Sequence, residues 1–269
     1  MRFLTGLLLM AFSLAALAAP KAELWQRWAA SAPNKAGISH KDWNDFLDHY
    51  LKPGSDGIAR VAYGAVTPAD RKALDAYVRG LQDVPIRKFS RPEQRAYWIN
   101  LYNATTVQVI LDHYPVESIT KISISPGLFA KGPWKKKLLT VEGEPVSLDD
   151  IEHRILRPIW KDPRLHYAVN CASLGCPNLP PRAFTGGNAE TLLDEGAKAY
   201  VNHPRGARVE NGRLTVSSIY VWFQSDFGGG EAGVIKHLKK YAEPALAGRL
   251  REVDGIDDDV YDWTLNDAK

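Results

Sequence analysis

Cysteine is almost missing from this chain: there are two in 269 residues, and only two methionines besides. Any bridge is therefore confined to Cys171 with Cys176, and a zinc site built on these two thiols and the nearby histidines matches no familiar structural spacing. A surplus of one charge is missing too, since 34 basic side chains face 31 acidic ones for a formal +3. That balance gives no electrostatic case for nucleic acid. The one basic run, Lys135-Lys136-Lys137 beside Trp134, reads as a solvated strand edge. After the first residues no stretch reaches the roughly eighteen apolar residues of a membrane-spanning helix. Phosphate-binding and calcium-binding loops are lacking as well. Gly228-Gly229-Gly230 has no lysine and serine behind it, Asp226-Phe227-Gly228 stands without the rest of a kinase signature, and the acids from Asp254 to Asp259 are too compressed for an EF-hand. No cofactor and no metal are expected.

What is present begins with an export signal. Met1-Arg2-Phe3 precedes an apolar stretch from Leu4 to Leu17, and Ala16-Leu17-Ala18 offers the small residues of a cleavage site. The sequence predicts a leader over residues 1 to 18 and a single exported domain, periplasmic or secreted, over 19 to 269. The hydrophobic fraction of 45% suits a globular fold with a real core.

The periodicity predicts an α+β domain: a helical N-terminal lobe over about 22 to 113, packed on a small mixed or antiparallel sheet with further helices. Helices are expected after Ser39, after Thr67-Pro68 and after Ser90-Arg91-Pro92-Glu93, which reads as a capping box. No strand is expected before Pro115. Beyond it the sequence predicts an extended piece at Ile119 to Ile124, a hairpin turning at Glu142-Gly143-Glu144, and a helix capped by Ser147. A buried strand from Leu165 to Val169, a helix from Ala189 to His203, a hairpin at Asn211-Gly212 and a helix from Gly233 complete the pattern.

The segment most suggestive of chemistry runs from Leu165 to Pro177, because it holds both cysteines and His166 at the end of that strand. A free thiol is mostly protonated at neutral pH, so a nucleophilic cysteine needs an activating neighbour. His166 and His153 compete for that role, with Glu152 placed to orient a partner. Small residues around Ala172 would let backbone amides hold an oxyanion. Asn100 and Asn103, one helical turn apart, and Asn170 and Ser173 are candidates to contact a substrate. For the cysteines three readings stay open: a Cys171–Cys176 disulfide, a catalytic or redox thiol, and a metal ligand. For the amides the competing reading is a tie between the helix and a neighbouring loop backbone.

Three blocks, Tyr97-Trp98-Ile99-Asn100-Leu101-Tyr102-Asn103-Ala104, Ile151-Glu152-His153-Arg154-Ile155-Leu156-Arg157, and His166 through Cys171-Ala172-Ser173-Leu174-Gly175-Cys176-Pro177, resemble the bacterial family catalogued as domain of unknown function 547. The family-like core spans about residues 90 to 225. The resemblance implies no activity, substrate or cofactor. It favours Cys171 over Cys176, because plant relatives of this type carry serine where Cys176 stands, and it favours Glu152 and His153 over His166. Two functions are carried forward. The first is a cell-envelope thiol enzyme acting on amide or acyl bonds of a peptide or small-molecule substrate. The second is a non-catalytic binding or interaction domain with Cys171 and Cys176 bridged.

Overall fold

Trp43, Phe46, Leu47 and Tyr50 recur at helical spacing, and they form the buried face of helix α1, Lys41–Tyr50. The computed structural model describes residues 20–34, 36–127 and 130–269; the expected leader lies outside them. A short antiparallel hairpin follows α1, with β1 at Leu51–Pro53 and β2 at Ala59–Val61. This hairpin overturns the expectation of helices only before Pro115; its three-residue arms are too short to show a period of two. Helix α2, Pro68–Gln82, starts as its sequence predicts, with the Thr67 side chain accepting from the Asp70 amide.

Helix α3, Arg91–His113, is the centre of the molecule and is buried along most of its length. The expected capping box at its start does not form, because the Glu93 carboxylate is used elsewhere. It accepts the Ile38 amide at 2.7 Å and the Gly186 amide at 2.9 Å, fastening two distant loops to the helix. Instead of an extended piece, Ile119–Lys121 is a 3-10 turn capped by Ser118. The hairpin of β3, Leu139–Val141, and β4, Glu144–Val146, turns where predicted, at Glu142 and Gly143, both with positive φ. The next helix is irregular: Asp150–Leu156 is π-helical and runs into the short α4, Arg157–Trp160.

The largest departure falls on Leu165 to Val169. In place of a strand, Pro163–Tyr167 is a 3-10 turn started by Asp162, whose carboxylate accepts the Arg164 amide. A short apolar run reads equally as a strand or a buried turn, and Asp162-Pro163 is a turn-starting pair. The remaining elements are α5, Ala189–Val201; β5, Ala207–Glu210; β6, Arg213–Ser217; α6, Ser218–Trp222; α7, Gly230–Tyr241; α8, Pro244–Arg249; and β7, Asp258–Val260. Strand β6 pairs antiparallel with β5 and parallel with β7, so the three-stranded sheet is mixed. The fold is α+β, with small separate sheets among helices. Among the described residues no helix is long and apolar enough to cross a membrane.

Two hydrophobic clusters make up the interior. One joins α1, α2, α3, the β3–β4 hairpin, the π-helix and the first half of α5; the other joins the second half of α5, α6, α7 and the mixed sheet. The Pro163–Tyr167 turn straddles them, with Leu165 in the first and Tyr167 in the second, and Ala168 just after it returns to the first. Cys171 therefore lies just past the seam between two cores.

Candidate thiol site

The cysteine loop is held by amide side chains. Asn103 on α3 donates to the Ala168 carbonyl and accepts from the Asn170 amide, both at 2.8 Å. Asn170 donates to the Pro177 carbonyl at 2.7 Å and accepts from the Ala172 amide at 2.8 Å. Between them Ala172 sits at φ 56°, a left-handed conformation that alanine rarely adopts and that these bonds must hold. Residues 262 to 266 then close over the loop, Leu174 and Gly175 donating to the Thr264 and Asp262 carbonyls and Asn266 donating to Ala172. Gly175 permits this approach, since a Cβ there would stand 2.8 Å from the Asp262 amide nitrogen.

That frame presents Cys171 partly exposed and Cys176 buried, both as free thiols. The sulfurs are 2.8 Å apart, and the Cys171 amide donates to Cys176 Sγ at 2.9 Å. Two hydroxyls also reach Cys171 Sγ, Tyr261 at 3.0 Å and Ser173 at 3.3 Å, and they bond one another at 3.0 Å. Burial opposes a thiolate at Cys171, but the hydrogen bonds from Cys176, Ser173 and Tyr261 outweigh it and leave its pKa below the ordinary thiol value. Cys176 goes the other way. Burial and its bond to Cys171 push its thiol well up.

A second cluster lies beside the first. Glu152 accepts from the Tyr102 hydroxyl at 3.2 Å, and its other oxygen stands 3.8 Å from His153 Nδ1 and 4.0 Å from His166 Nδ1. Burial raises the Glu152 pKa. His166 Nε2 is 2.8 Å from Asp226, which also takes a two-pronged bond from Arg157. Burial disfavours the Asp226 charge, yet bonds from His166 and Arg157 hold its carboxyl below the usual range. His153 Nδ1 lies 3.0 Å from the Arg157 guanidinium, so it acts as acceptor, and burial lowers its pKa to about 4. Phe223 packs on both rings, stacked on His166 at 4.3 Å. Partly exposed Trp222, Tyr261, Trp263 and Trp134 continue that aromatic surface toward the sulfur.

Several expectations need correcting against this geometry. Neither imidazole is hydrogen-bonded to Cys171 among the described residues: His166 turns to Asp226 and His153 to Arg157. The amides of Cys171, Ala172, Leu174, Gly175 and Cys176 are all engaged, which leaves no pair of them for an oxyanion. Asn100 spends its amide on both backbone groups of Phe184, so Asn100, Asn103 and Asn170 each tie a loop backbone. Ser173 is at the sulfur, although 1% exposed.

Tyr261 and Asp226 escaped sequence reasoning. Tyr261 lies 90 positions from Cys171 with no motif around it, and Asp226 was visible only in a tripeptide set aside as a false kinase match. Replacing Tyr261 by phenylalanine removes one of the hydrogen bonds that favour the thiolate and is expected to raise the Cys171 pKa and slow its alkylation about tenfold at pH values below the midpoint. The pH profile of iodoacetamide labelling measures this, and an unmoved midpoint would mean the phenol only packs.

Residues 86–201 match a family model described as Protein of unknown function, DUF547. No curated protein and no solved structure matches the chain. The matched range holds both cysteines, Glu152 and both histidines, whereas Tyr261 and Asp226 come from outside it.

Proposed function

This chain carries a domain of the DUF547 family, whose description records no activity, and on that premise we propose that it is an exported dithiol–disulfide exchange protein. Cys171 is the attacking thiolate and Cys176 the resolving thiol. One observation carries the reading: two sulfurs 2.8 Å apart in unlike surroundings, the outer one favoured as thiolate and the inner one held protonated. A disulfide bond is about 2.05 Å long, so closure asks for a sulfur displacement of less than an ångström. Hydroxyl donors aimed at sulfur stabilise a thiolate strongly and a disulfide little, which speaks against a purely structural bridge. Attack on an amide or acyl carbonyl has less support, given the engaged loop amides and imidazoles that bond Arg157 and Asp226 instead.

In the exchange, the Cys171 thiolate attacks one sulfur of a substrate disulfide RS–SR′. The S–S bond breaks, Cys171–S–S–R forms, and R′S⁻ leaves. Cys176 then gives up its proton and attacks Cys171 Sγ, which forms the internal disulfide and expels RS⁻. Two electrons pass from the pair to the substrate. Run backwards, the closed pair oxidises a substrate dithiol, the direction an oxidising compartment favours. The aromatic surface at Tyr261, Trp222 and Trp263 offers a polypeptide substrate apolar contact beside the sulfur.

Reduced protein is to be mixed with an aromatic disulfide such as dithiobis(nitrobenzoate). Native protein is expected to release two equivalents of aromatic thiolate and finish with a closed pair. Cys176→Ser should release one and keep a mixed disulfide on Cys171, while Cys171→Ser should react about a hundredfold more slowly. If Cys176 is the sulfur that reacts first, or both are inert in the folded protein, the exchange reading is lost.

A further inference from the structure

Closing the pair requires Cys176 to stay in place after Cys171 has been captured by a substrate sulfur. Asn103, Asn170 and residues 262 to 266 hold the amides of Asn170, Ala172, Leu174 and Gly175. The carbonyls of Leu174 and Gly175 are taken by α5 and the turn after it. Arg205, in the turn between α5 and β5, donates from Nη1 to the Leu174 carbonyl at 2.7 Å and from Nη2 to the Asn178 side-chain oxygen at 2.6 Å. One planar guanidinium therefore fastens the chain two residues before Cys176 and two residues after it. On the exchange reading, the geometry points to Arg205 as a positioning residue that holds Cys176 for its attack on the Cys171 mixed disulfide.

Both ends of this grip are moored to the β1–β2 hairpin. Asn178 Oδ1 also accepts the Ala59 amide at 2.9 Å, and Asn178 Nδ2 donates to the Gly57 carbonyl at 2.9 Å. The Arg205 amide donates to His203 Nδ1 at 3.1 Å, which leaves His203 Nε2 as the donor to the Asp56 carbonyl at 2.8 Å. The guanidinium also stands 5.4 Å from the centre of the Tyr200 ring, whose hydroxyl donates to the Gly175 carbonyl at 2.6 Å. Two successive carbonyls of the turn are thus held by two side chains that touch each other. Lysine could not stand in for Arg205, because an ammonium is a point charge on a flexible stem and lacks the fixed fork that spans two acceptors.

The second step of the exchange is the one that depends on such a grip. Four residues separate the cysteines, and Gly175 among them gives the turn a backbone freedom that has to be restrained. With the sulfurs 2.8 Å apart, Cys176 is already within reach of its target, and a displacement of about 1 Å would cost the closing step roughly a hundredfold in rate. The first step asks nothing of Arg205, since the hydroxyls at Cys171 Sγ come from Tyr261 and Ser173. Arg205 lies outside residues 86–201, as Tyr261 does, so each step draws on a side chain from beyond the range that the family model matches.

Replacing Arg205 by glutamine separates the two steps. With dithiobis(nitrobenzoate), Arg205→Gln should release the first equivalent of aromatic thiolate at the native rate and the second about a hundredfold more slowly. A mixed disulfide on Cys171 then accumulates in a protein that still carries Cys176. The pH midpoint of Cys171 alkylation should stay in place, a readout that general loosening of the loop would move. Arg205→Lys keeps the charge and loses the fork, so its second step should fall between those of the native protein and Arg205→Gln; it decides the matter where the glutamine variant does not fold. A second equivalent released at the native rate in either variant would overturn the positioning role and leave the exchange reading standing. Slowing of both steps in parallel, or a shifted alkylation midpoint, would overturn it too, as damage to the whole loop. Failure of the native protein to release even a first equivalent would instead remove the exchange reading itself.

Discussion

Asn103→Ala is expected to lower the unfolding free energy by about 4 kcal/mol, because it strips the hydrogen-bond partner from two buried backbone groups at once. Asn103 is 1% exposed, and its amide spans the Ala168 carbonyl and the Asn170 amide across the entry to the cysteine loop. An alanine leaves both unpaired, in a space with few alternatives. The loop should also loosen, since Asn170 in turn holds Ala172 in its left-handed conformation. Cys171 alkylation should then lose its depressed midpoint. Asn100→Ala makes the control. It frees the two backbone groups of Phe184 in the same way and should cost a similar amount, yet it leaves the Cys171 profile alone. Urea unfolding with labelling of the folded protein measures both, and an Asn103→Ala protein within about 1 kcal/mol of the parent would contradict the argument.

Acid should destabilise this protein sooner than its carboxylates alone would suggest. His40, His153 and His237 are buried, and burial is the leading cause that lowers each pKa to about 4 against 6.5 unfolded. Between those values the unfolded chain binds more protons, so stability rises with pH there. The contribution is complete above pH 6.5 and drains away as pH falls toward 4. At pH 5 each histidine accounts for about 2 kcal/mol, and the three together for about 6 kcal/mol, a large share of the stability of a typical domain. Glu152 and Asp149 work in the opposite sense, since burial raises their pKa values and their protonation relieves a cost. Denaturant titrations from pH 7.5 to 4.5 should give a slope approaching three protons, falling toward two in His237→Gln. That glutamine can keep the bond to Tyr167. A flat profile down to pH 5 would show that the rings are charged in the folded state.

The helices were largely legible because their signals are local. Thr67-Pro68-Ala69-Asp70 starts α2 as its residue types require, and the stripe Trp43, Phe46, Leu47, Tyr50 buries one face of α1. Asn-Gly and Glu-Gly likewise turn the β5–β6 and β3–β4 hairpins through positive φ. Glu93 shows where local reasoning stops: it has the type and position of a capping residue, but two loop amides from residues 38 and 186 hold its carboxylate. Leu165 to Val169 shows the same limit for periodicity, as five residues split between two cores cannot reveal a period.

For the site, residue types carried the cysteine pair, and its placement in a loop of small residues was readable from Ala172 and Gly175. The surroundings of the sulfur were not. Residue chemistry names an imidazole as the partner of a reactive thiol, whereas the partners here are Tyr261, Ser173 and the second cysteine. The histidines belong instead to a carboxylate and guanidinium cluster beside it. The sequence by itself determined most of the helices, the turns of the β3–β4 and β5–β6 hairpins and the segment that sets both cysteines together, because each depends on residues within a few positions of one another. Tertiary structure alone decided which sulfur is exposed, what stabilises its charge and where the histidines point. Those depend on contacts across 60 and 90 positions, and on a burial that only the meeting of two hydrophobic cores creates.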